Sequence, residues 1–187
     1  MEYIMQRLSV YSILIVFMVS MVACGNGEGT PAEESEAVAD DDVRTIEIIG
    51  TDDMRFVVAE EADGLVTAGQ VGDEYELTQI QASPGERLRI ILHTRSELPA
   101  TAMSHNLAIV DLDADVDQFV RESATAADNE YIAPAFEDQI IATTAMLGGG
   151  ESDTIEFDVP EEQGEYEYAC TFPGHFAAGM RGQLVVE

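Results

Sequence analysis

The residues best suited to bind a metal ion lie mostly in one short run, C-T-F-P-G-H-F-A-A-G-M, which contains Cys170, His175 and Met180. A second imidazole, that of His105, lies upstream in the motif M-S-H-N. One thiolate, two imidazoles and a thioether favour copper over hard cations, and the thioether disfavours zinc, whose structural sites usually recruit paired cysteines. We therefore predict one copper site, in which Cys170 and the two histidines bind the metal and Met180 is a weak axial ligand. Sites of this composition carry single electrons.

The segments around these residues alternate between apolar and polar side chains. Alternation with a period of two predicts strands that are buried on one face. Turn-forming residues at 83–86 and 161–164 are expected to join hairpin partners, and one short helix is expected within residues 111–122. Many short strands with little helix predict an antiparallel β-sandwich. The alternating segments are residues 45–48, 88–92, 155–159 and 166–170.

Strand parity predicts how the metal donors converge. Cys170 shares a face with Tyr166 and Tyr168, so its side chain should point into the core at the end of its strand. His105 should point inward in the same way at the start of another strand. His175 lies on the loop that follows Cys170, and the Pro-Gly pair before it bends that loop. We therefore expect the donors to meet at one point near the ends of these strands.

The chain is strongly acidic. Its 187 residues carry 37 acidic side chains against eight basic ones, all of them arginine, for a formal net charge of −29. Such a surface repels the phosphate backbone and argues against binding to nucleic acid. The acidity fits either an acidic docking face for a basic partner or an adaptation to high salt, where self-repulsion is screened. We favour salt adaptation, because the acidic residues are spread from Glu33 to Glu187.

The N-terminus has the features of a targeting segment. Residues 8–22 are almost wholly apolar, Arg7 precedes them, and the run ends in Met-Val-Ala-Cys at Cys24. This ending resembles a bacterial lipobox, which predicts a lipoprotein-type signal peptide over residues 1–23 and a lipid on Cys24. Ordinary cleavage nearby and an uncleaved anchor helix are the alternatives. The protein is thus expected to be exported, with a lipid anchor in the membrane, on the periplasmic or cell-surface side.

Residues 24–42 are small and acidic, without aromatic side chains, which predicts a flexible tether ahead of a folded domain over residues 43–187. Cys170 is then a lone thiol in an exported, disulfide-permissive compartment, and this supports metal binding. A disulfide between Cys24 and Cys170 is the alternative. It would require cleavage before Cys24 and no lipid on that residue.

The metal-binding motifs resemble those of the azurin and auracyanin branch of the cupredoxins. The resemblance covers nearly the whole predicted domain and implies a Greek-key β-sandwich of about eight strands, with a helical flap around residues 111–133. It also implies one type 1, or blue, copper ion. The matching segments are residues 48–56, 98–99, 103–106, 148–159 and 170–175, with Met180 following.

The same resemblance implies roles for residues beside the metal. Asn106 is expected to brace the loop that carries the thiolate through hydrogen bonds, with support from Thr171 and Phe172. Ser104 replaces a glycine whose carbonyl is a distant fifth ligand in azurins, so the Ser104 carbonyl is a candidate weak axial ligand.

Residues 60–73 are expected to form an extra loop.

An apolar surface around His175 is the expected docking patch for redox partners, because this histidine lies in the middle of a loop. Transient redox contacts are small, typically below about 1,200 Å². The docking patch consists of Leu98, Pro99, Met103, Phe172, Pro173, Phe176, Ala177 and Ala178.

These features predict a type 1 copper protein that carries single electrons between redox proteins outside the cytoplasm. An enzyme is not expected, because multicopper oxidases and nitrite reductases need further histidines and this chain has three in total. The third, His93, is interpreted as a surface or loop histidine. The alternative function is that of a copper carrier or chaperone without a role in electron transfer. Carriers favour exposed clusters rich in Met or Cys, which exchange metal quickly.

Overall fold

The computed structural model describes residues 43–187. The predicted signal peptide, Cys24 and the tether lie outside the described residues. Within residues 43–187 no helix is long and apolar enough to cross a membrane. This range contains one α-helix, α1 (Val116–Ser123), and two 3₁₀ helices, Ala127–Asn129 and Pro134–Gln139. Its ten strands are β1 (Val43–Thr51), β2 (Phe56–Val58), β3 (Leu65–Val71), β4 (Glu74–Ala82), β5 (Arg87–Arg95), β6 (Ala108–Val110), β7 (Ile140–Thr143), β8 (Ser152–Asp158), β9 (Gly164–Ala169) and β10 (Arg181–Val186).

The described strands join in one continuous sheet that folds over a shared core. Their order is β7-β6-β9-β10-β4-β2-β1-β5-β8, and β3 is added to β4. Most neighbours are antiparallel, but β1 pairs with β5 and β4 pairs with β10 in parallel. The prediction of a β-sandwich with a short helical flap is confirmed. Each alternating segment of the sequence lies in a strand, apart from Val159 and Cys170, which directly follow β8 and β9. The expectation of purely antiparallel pairing is wrong at the two parallel pairs.

The two predicted turns join strands that do not pair with each other. Residues 83–86 connect β4 to β5, and residues 161–164 lead from β8 into β9. β5 pairs with β1 and β8, whereas β9 pairs with β10 and β6. The expected hairpins are therefore wrong. A turn signal predicts only that the chain reverses direction. Which strands become neighbours depends on how the two layers of the sandwich bury their apolar faces against each other.

The predicted extra loop contains strand β3. Leu65–Val71 pairs with β4, but the register shifts between Val66 and Thr67 and again between Thr67 and Gln70. These irregularities interrupt the alternation of the sequence, and Gly69 adds a positive φ of 142°. An irregular strand of this kind gives only a weak period-two signal, which explains why the sequence predicted a loop.

The core consists of two hydrophobic clusters. The larger one lies inside the sandwich and includes Tyr166, Tyr168, Leu107 and Ile109, all at most 1% exposed. The smaller one lies between the outer face of β6 and β9 and the helical flap, where α1 buries Phe119. Because both faces of β6 are covered, the segment that leads into it from His105 is held firmly.

Two tyrosines in β9 provide a matched test of this packing. The Tyr166 hydroxyl donates to the Glu162 carbonyl at 2.8 Å, whereas the buried Tyr168 hydroxyl has no hydrogen-bond partner among the described residues. Tyr166→Phe should therefore lower the free energy of unfolding by about 1 kcal/mol. Tyr168→Phe should leave it unchanged or raise it, since the burial cost of an unpaired hydroxyl is removed. Urea unfolding of both variants measures the difference, and an equal loss in both would contradict it.

Candidate metal centre

Cys170 and Met180 begin and end a loop between two paired strands. Cys170 directly follows β9 and Met180 directly precedes β10, and the Cys170 amide donates to the Met180 carbonyl at 3.1 Å. Inside the loop, the His175 amide donates to the Phe172 carbonyl at 3.1 Å, and the Met180 amide donates to the His175 carbonyl at 3.0 Å. The loop is thus closed by its own backbone, which brings three predicted donor residues close together.

His105 is placed by a separate pair of hydrogen bonds. Its amide donates to the Leu147 carbonyl at 2.9 Å, and the Leu147 amide donates back at the same distance. The ring then packs against Gly50 in β1, where an added Cβ would lie 2.9 Å from ring carbons of His105. A glycine at position 50 is therefore needed to make room for this imidazole. The sequence analysis included Gly50 in the segment 48–56 that resembles azurins but gave it no role, although a glycine inside an otherwise regular strand is a signal of close packing.

The donor atoms of the three residues converge. Nδ1 of His175 lies 3.4 Å from the Cys170 sulfur, and Nδ1 of His105 lies 3.9 Å from it. The ligand atoms of these three residues all lie within 4.8 Å of one another. The donor set fits copper, because a buried thiol between two imidazole nitrogens is a soft site with few donors. Met180 is fully buried at the end of the same loop.

The side chains of this cluster are almost inaccessible to solvent. His105, Cys170 and Met180 are 0% exposed and His175 is 3% exposed, so the histidine of the loop is the member nearest to solvent. Burial raises the pKa of the Cys170 thiol to about 12, although amide hydrogens of Asn106 and Phe172 against the sulfur lower it in part. Without metal, the sulfur therefore keeps its proton at neutral pH.

The two imidazoles are neutral at the same pH. Burial, with a smaller contribution from His175, lowers the pKa of His105 to about 4, against weaker opposing effects of Asp52 and the Thr51 backbone. Burial alone lowers the pKa of His175 to about 4. Both rings can therefore offer a lone pair to a metal without first losing a proton.

Asn106 connects the two ligand-bearing segments. Its side-chain carbonyl accepts from the Thr171 amide at 2.8 Å, and its side-chain amide donates to the Thr171 hydroxyl at 2.8 Å. Both residues are fully buried. The Ser104 carbonyl lies 4.0 Å from the Cys170 sulfur. These contacts join the residue after the thiol to the residue after His105, and they keep the Ser104 carbonyl next to the donors.

The predicted docking patch is only partly exposed. Leu98 is 47% exposed, whereas Met103 is 9% and Phe172 is 7% exposed. Phe176 is half-buried beneath the guanidinium of Arg181, which lies 4.8 Å from its ring centre. The remaining members, Pro99, Pro173, Ala177 and Ala178, are exposed.

His93 is not part of the metal cluster. It lies in β5, half-buried, and its strand neighbours are Ile49 and Ser152. The prediction that His93 could lie in a loop is therefore wrong, since the residue lies in a strand.

A substitution at Gly50 tests the placement of His105. Gly50→Ala should push the buried imidazole out of position, weaken metal binding and lower the free energy of unfolding by about 1–3 kcal/mol, the usual cost of overpacking. In a His105→Ala background the same change should cost much less, because the ring is gone. A double-mutant cycle on the unfolding free energy measures the coupling. Equal costs in both backgrounds would contradict this contact.

Comparison with known proteins agrees with the geometry of the site. The family model for copper binding proteins of the plastocyanin/azurin family matches residues 62–187. Azurin iso-2 of Methylomonas sp. (strain J) is 38% identical over 96 residues, which cover 50% of this chain and 72% of that protein. A solved structure of dithionite-reduced auracyanin from the photosynthetic bacterium Roseiflexus castenholzii matches with a TM-score of 0.58 at 28% identity. That match covers 76% of this chain and 96% of the auracyanin.

A further relative is outer membrane protein H.8 of Neisseria meningitidis serogroup B, which is 33% identical over 115 residues. These residues cover 60% of this chain and 61% of that protein, so the chain spans about three fifths of the length of this relative. The chain belongs to the plastocyanin/azurin family of copper-binding proteins, the cupredoxins, and its cluster of His105, Cys170 and His175 fits a single type 1 copper site.

Proposed function

We propose that the protein is a type 1 copper protein that carries single electrons between redox proteins outside the cytoplasm. Cys170 and the two histidines would hold the metal, with Met180 and the Ser104 carbonyl as additional weak ligands. The observation that supports this proposal most strongly is the approach of both Nδ1 atoms to the Cys170 sulfur, at 3.4 and 3.9 Å, among side chains that are at most 3% exposed. Copper bound there supplies a one-electron couple between Cu(I) and Cu(II).

The residues around the donors favour electron transfer over copper delivery. The Leu147 pairing, the Asn106–Thr171 hydrogen bonds and the closed loop all restrict movement of the donors. Donors that hold one geometry in both oxidation states limit rearrangement when an electron is exchanged. A copper carrier needs donors that a partner can reach, whereas His175, the most accessible of the four, is 3% exposed. A buried site with restrained donors therefore favours electron transfer over copper delivery as the function.

The thiolate assignment predicts an intense visible band. The protein loaded with Cu(II) should be strongly coloured, because the Cys170 thiolate donates charge to the metal. Cys170→Ser should abolish the band. Met180→Leu is the matched control from the same loop, and it should keep copper and colour while shifting the reduction potential. A Cys170→Ser protein with an unchanged band, or a Met180→Leu protein without copper, would contradict the proposed ligand roles.

Electrons are proposed to enter and leave through the docking patch next to His175. Its exposed members are uncharged, although the chain as a whole is strongly acidic. Six arginines in residues 43–187 form ion pairs with carboxylates, and among them only Arg181, which also pairs with Glu167, lies over a patch member, Phe176. The other five are Arg44, Arg55, Arg87, Arg89 and Arg95. Under the salt adaptation that we propose, charge steering is weak, since the Debye length is only about 3 Å at 1 M salt. Apolar contact then dominates docking.

A pair of charge variants tests this docking patch. Ala177→Asp should slow electron self-exchange by about tenfold, equivalent to about 1.4 kcal/mol, because an exposed apolar contact becomes a charge that must be desolvated. Glu165→Gln is the control, because Glu165 is exposed in β9 and its loss of charge should hardly change the rate. Both rates are measured at the same high ionic strength. The reverse ranking would show that charge guides the encounter.

We further propose that Cys24 is lipidated after removal of residues 1–23, and that residues 24–42 tether the copper domain to a membrane facing the periplasm or cell surface. The relative named outer membrane protein H.8 supports a location at the cell envelope. The mass of the native N-terminus tests this proposal, and a native Cys24 without an acyl chain would refute it.

A further inference from the structure

Two consecutive residues in the helical flap adopt a backbone conformation that side chains disfavour. Glu130 and Tyr131 have φ values of 51° and 57°, and the only other described non-glycine residue with positive φ is Met54. The left-handed region is uncommon for bulky residues, and each instance typically costs about 1–3 kcal/mol. Such a conformation persists only where the surrounding structure enforces it.

Contacts on both sides enforce it here. The Tyr131 amide donates to the Ala126 carbonyl at 2.9 Å. Beyond the strained pair, the Asn129 side chain donates to the Ile132 carbonyl at 2.8 Å, and the Ala133 amide donates to the hydroxyl of fully buried Ser123 at 2.9 Å. The chain is therefore tied down immediately before and after the two strained residues.

The strained pair contacts both segments that carry histidine donors. The Tyr131 ring packs on Phe172 with 5.2 Å between ring centres, and Phe172 packs on His175 with 4.8 Å. The Glu130 carboxylate accepts from the Met146 amide at 3.4 Å, one residue before the Leu147 that pairs with His105. A different backbone conformation at residues 130 and 131 would lose these contacts.

Packing is what orients the His175 ring. Within residues 43–187 its Nδ1 faces the Cys170 sulfur, and no hydrogen bond holds the ring from another side. The rings of Phe172 and His105 lie against it, at 4.8 and 4.9 Å between centres. Phe172 is thus the support on one side, and Tyr131 is the aromatic ring that backs Phe172.

We propose that Tyr131 is a positioning residue for the copper loop. It holds Phe172 against the imidazole of His175, and thereby fixes the direction of the Nδ1 lone pair toward the metal position. The strain at residues 130 and 131 is retained because it brings the flap onto this stack. The proposal rests on the proposed electron-transfer function, since a fixed imidazole matters most where the site must stay unchanged during electron exchange.

Three substitutions at one position separate positioning from mere stability. Tyr131→Ala removes the ring and keeps the backbone strain, Tyr131→Gly removes the ring and relieves the strain, and Tyr131→Phe keeps the ring without its hydroxyl. The glycine variant should therefore melt at a higher temperature than the alanine variant. The resonances of the His175 ring protons in the metal-free protein report the orientation of Phe172 through its ring current.

We expect the ring-current shift of His175 to be lost to the same extent in the alanine and glycine variants and kept in the phenylalanine variant. After copper loading, the reduction potential should shift in the first two and stay unchanged in the third. An unchanged His175 shift in both ring-deleted variants would overturn the proposal. A shift that is restored in the glycine variant would also overturn it, because the effect would then follow stability alone. The metal-free measurement does not depend on copper chemistry, so a wild-type protein without a blue band would refute only the proposed function.

Discussion

Burial of one thiol against two imidazoles, away from water, is the constraint on which the rest of the domain depends. Polar groups without hydrogen-bond partners are costly to bury, and the cluster of Cys170, His105 and His175 is at most 3% exposed. Nδ1 of each histidine faces the sulfur instead of a conventional acceptor. A soft metal ion that accepts all three donors would repay this cost, whereas an apolar core would not need these side chains.

The surrounding elements serve to keep these donors together. Pairing of β9 with β10 brings the two ends of the metal loop into contact, and the His105–Leu147 pairing adds a donor from a different part of the sheet. Asn106 ties both segments together through Thr171, and the flap covers the outer face of β6 and β9. The donors are thus supported by backbone pairing, side-chain hydrogen bonds and hydrophobic packing at once.

Local patterns in the sequence predicted several strands, the face on which the thiol lies and the type of metal. Alternation identified β1, β5, β8 and β9, and parity placed the Cys170 side chain on the same inward face as Tyr166 and Tyr168, all at most 1% exposed. The donor types and the family motifs predicted copper. Which strands pair with each other was harder to predict, because the turn at residues 83–86 shows that the chain reverses direction but does not show which strand pairs with which.

Other features could not be predicted, because they arise from contacts between distant residues. Gly50 is an unremarkable strand glycine until the His105 ring is placed against it, 55 positions further along the chain. The left-handed backbone conformation at Tyr131 could not be predicted, because no glycine marks the position. It accompanies the packing of the flap on Phe172. Strand β3 was not predicted, because two register shifts within its seven residues interrupt the alternation of the sequence.

The number of protons released on copper binding tests most directly whether the donors form one dry, preformed site. Burial raises the pKa of Cys170 to about 12 and lowers those of both histidines to about 4, so at about pH 5.5 the sulfur carries a proton and neither imidazole carries an extra one, whereas a solvated imidazole, with a pKa of about 6.5, would be charged at that pH. Calorimetry of copper binding in two buffers with different heats of ionisation should therefore give about one proton per metal ion at about pH 5.5. Release of no proton would mean that the thiolate already exists in the metal-free protein. Release of two or three would mean that the imidazoles are charged and solvated, and either result would contradict a buried, preformed site.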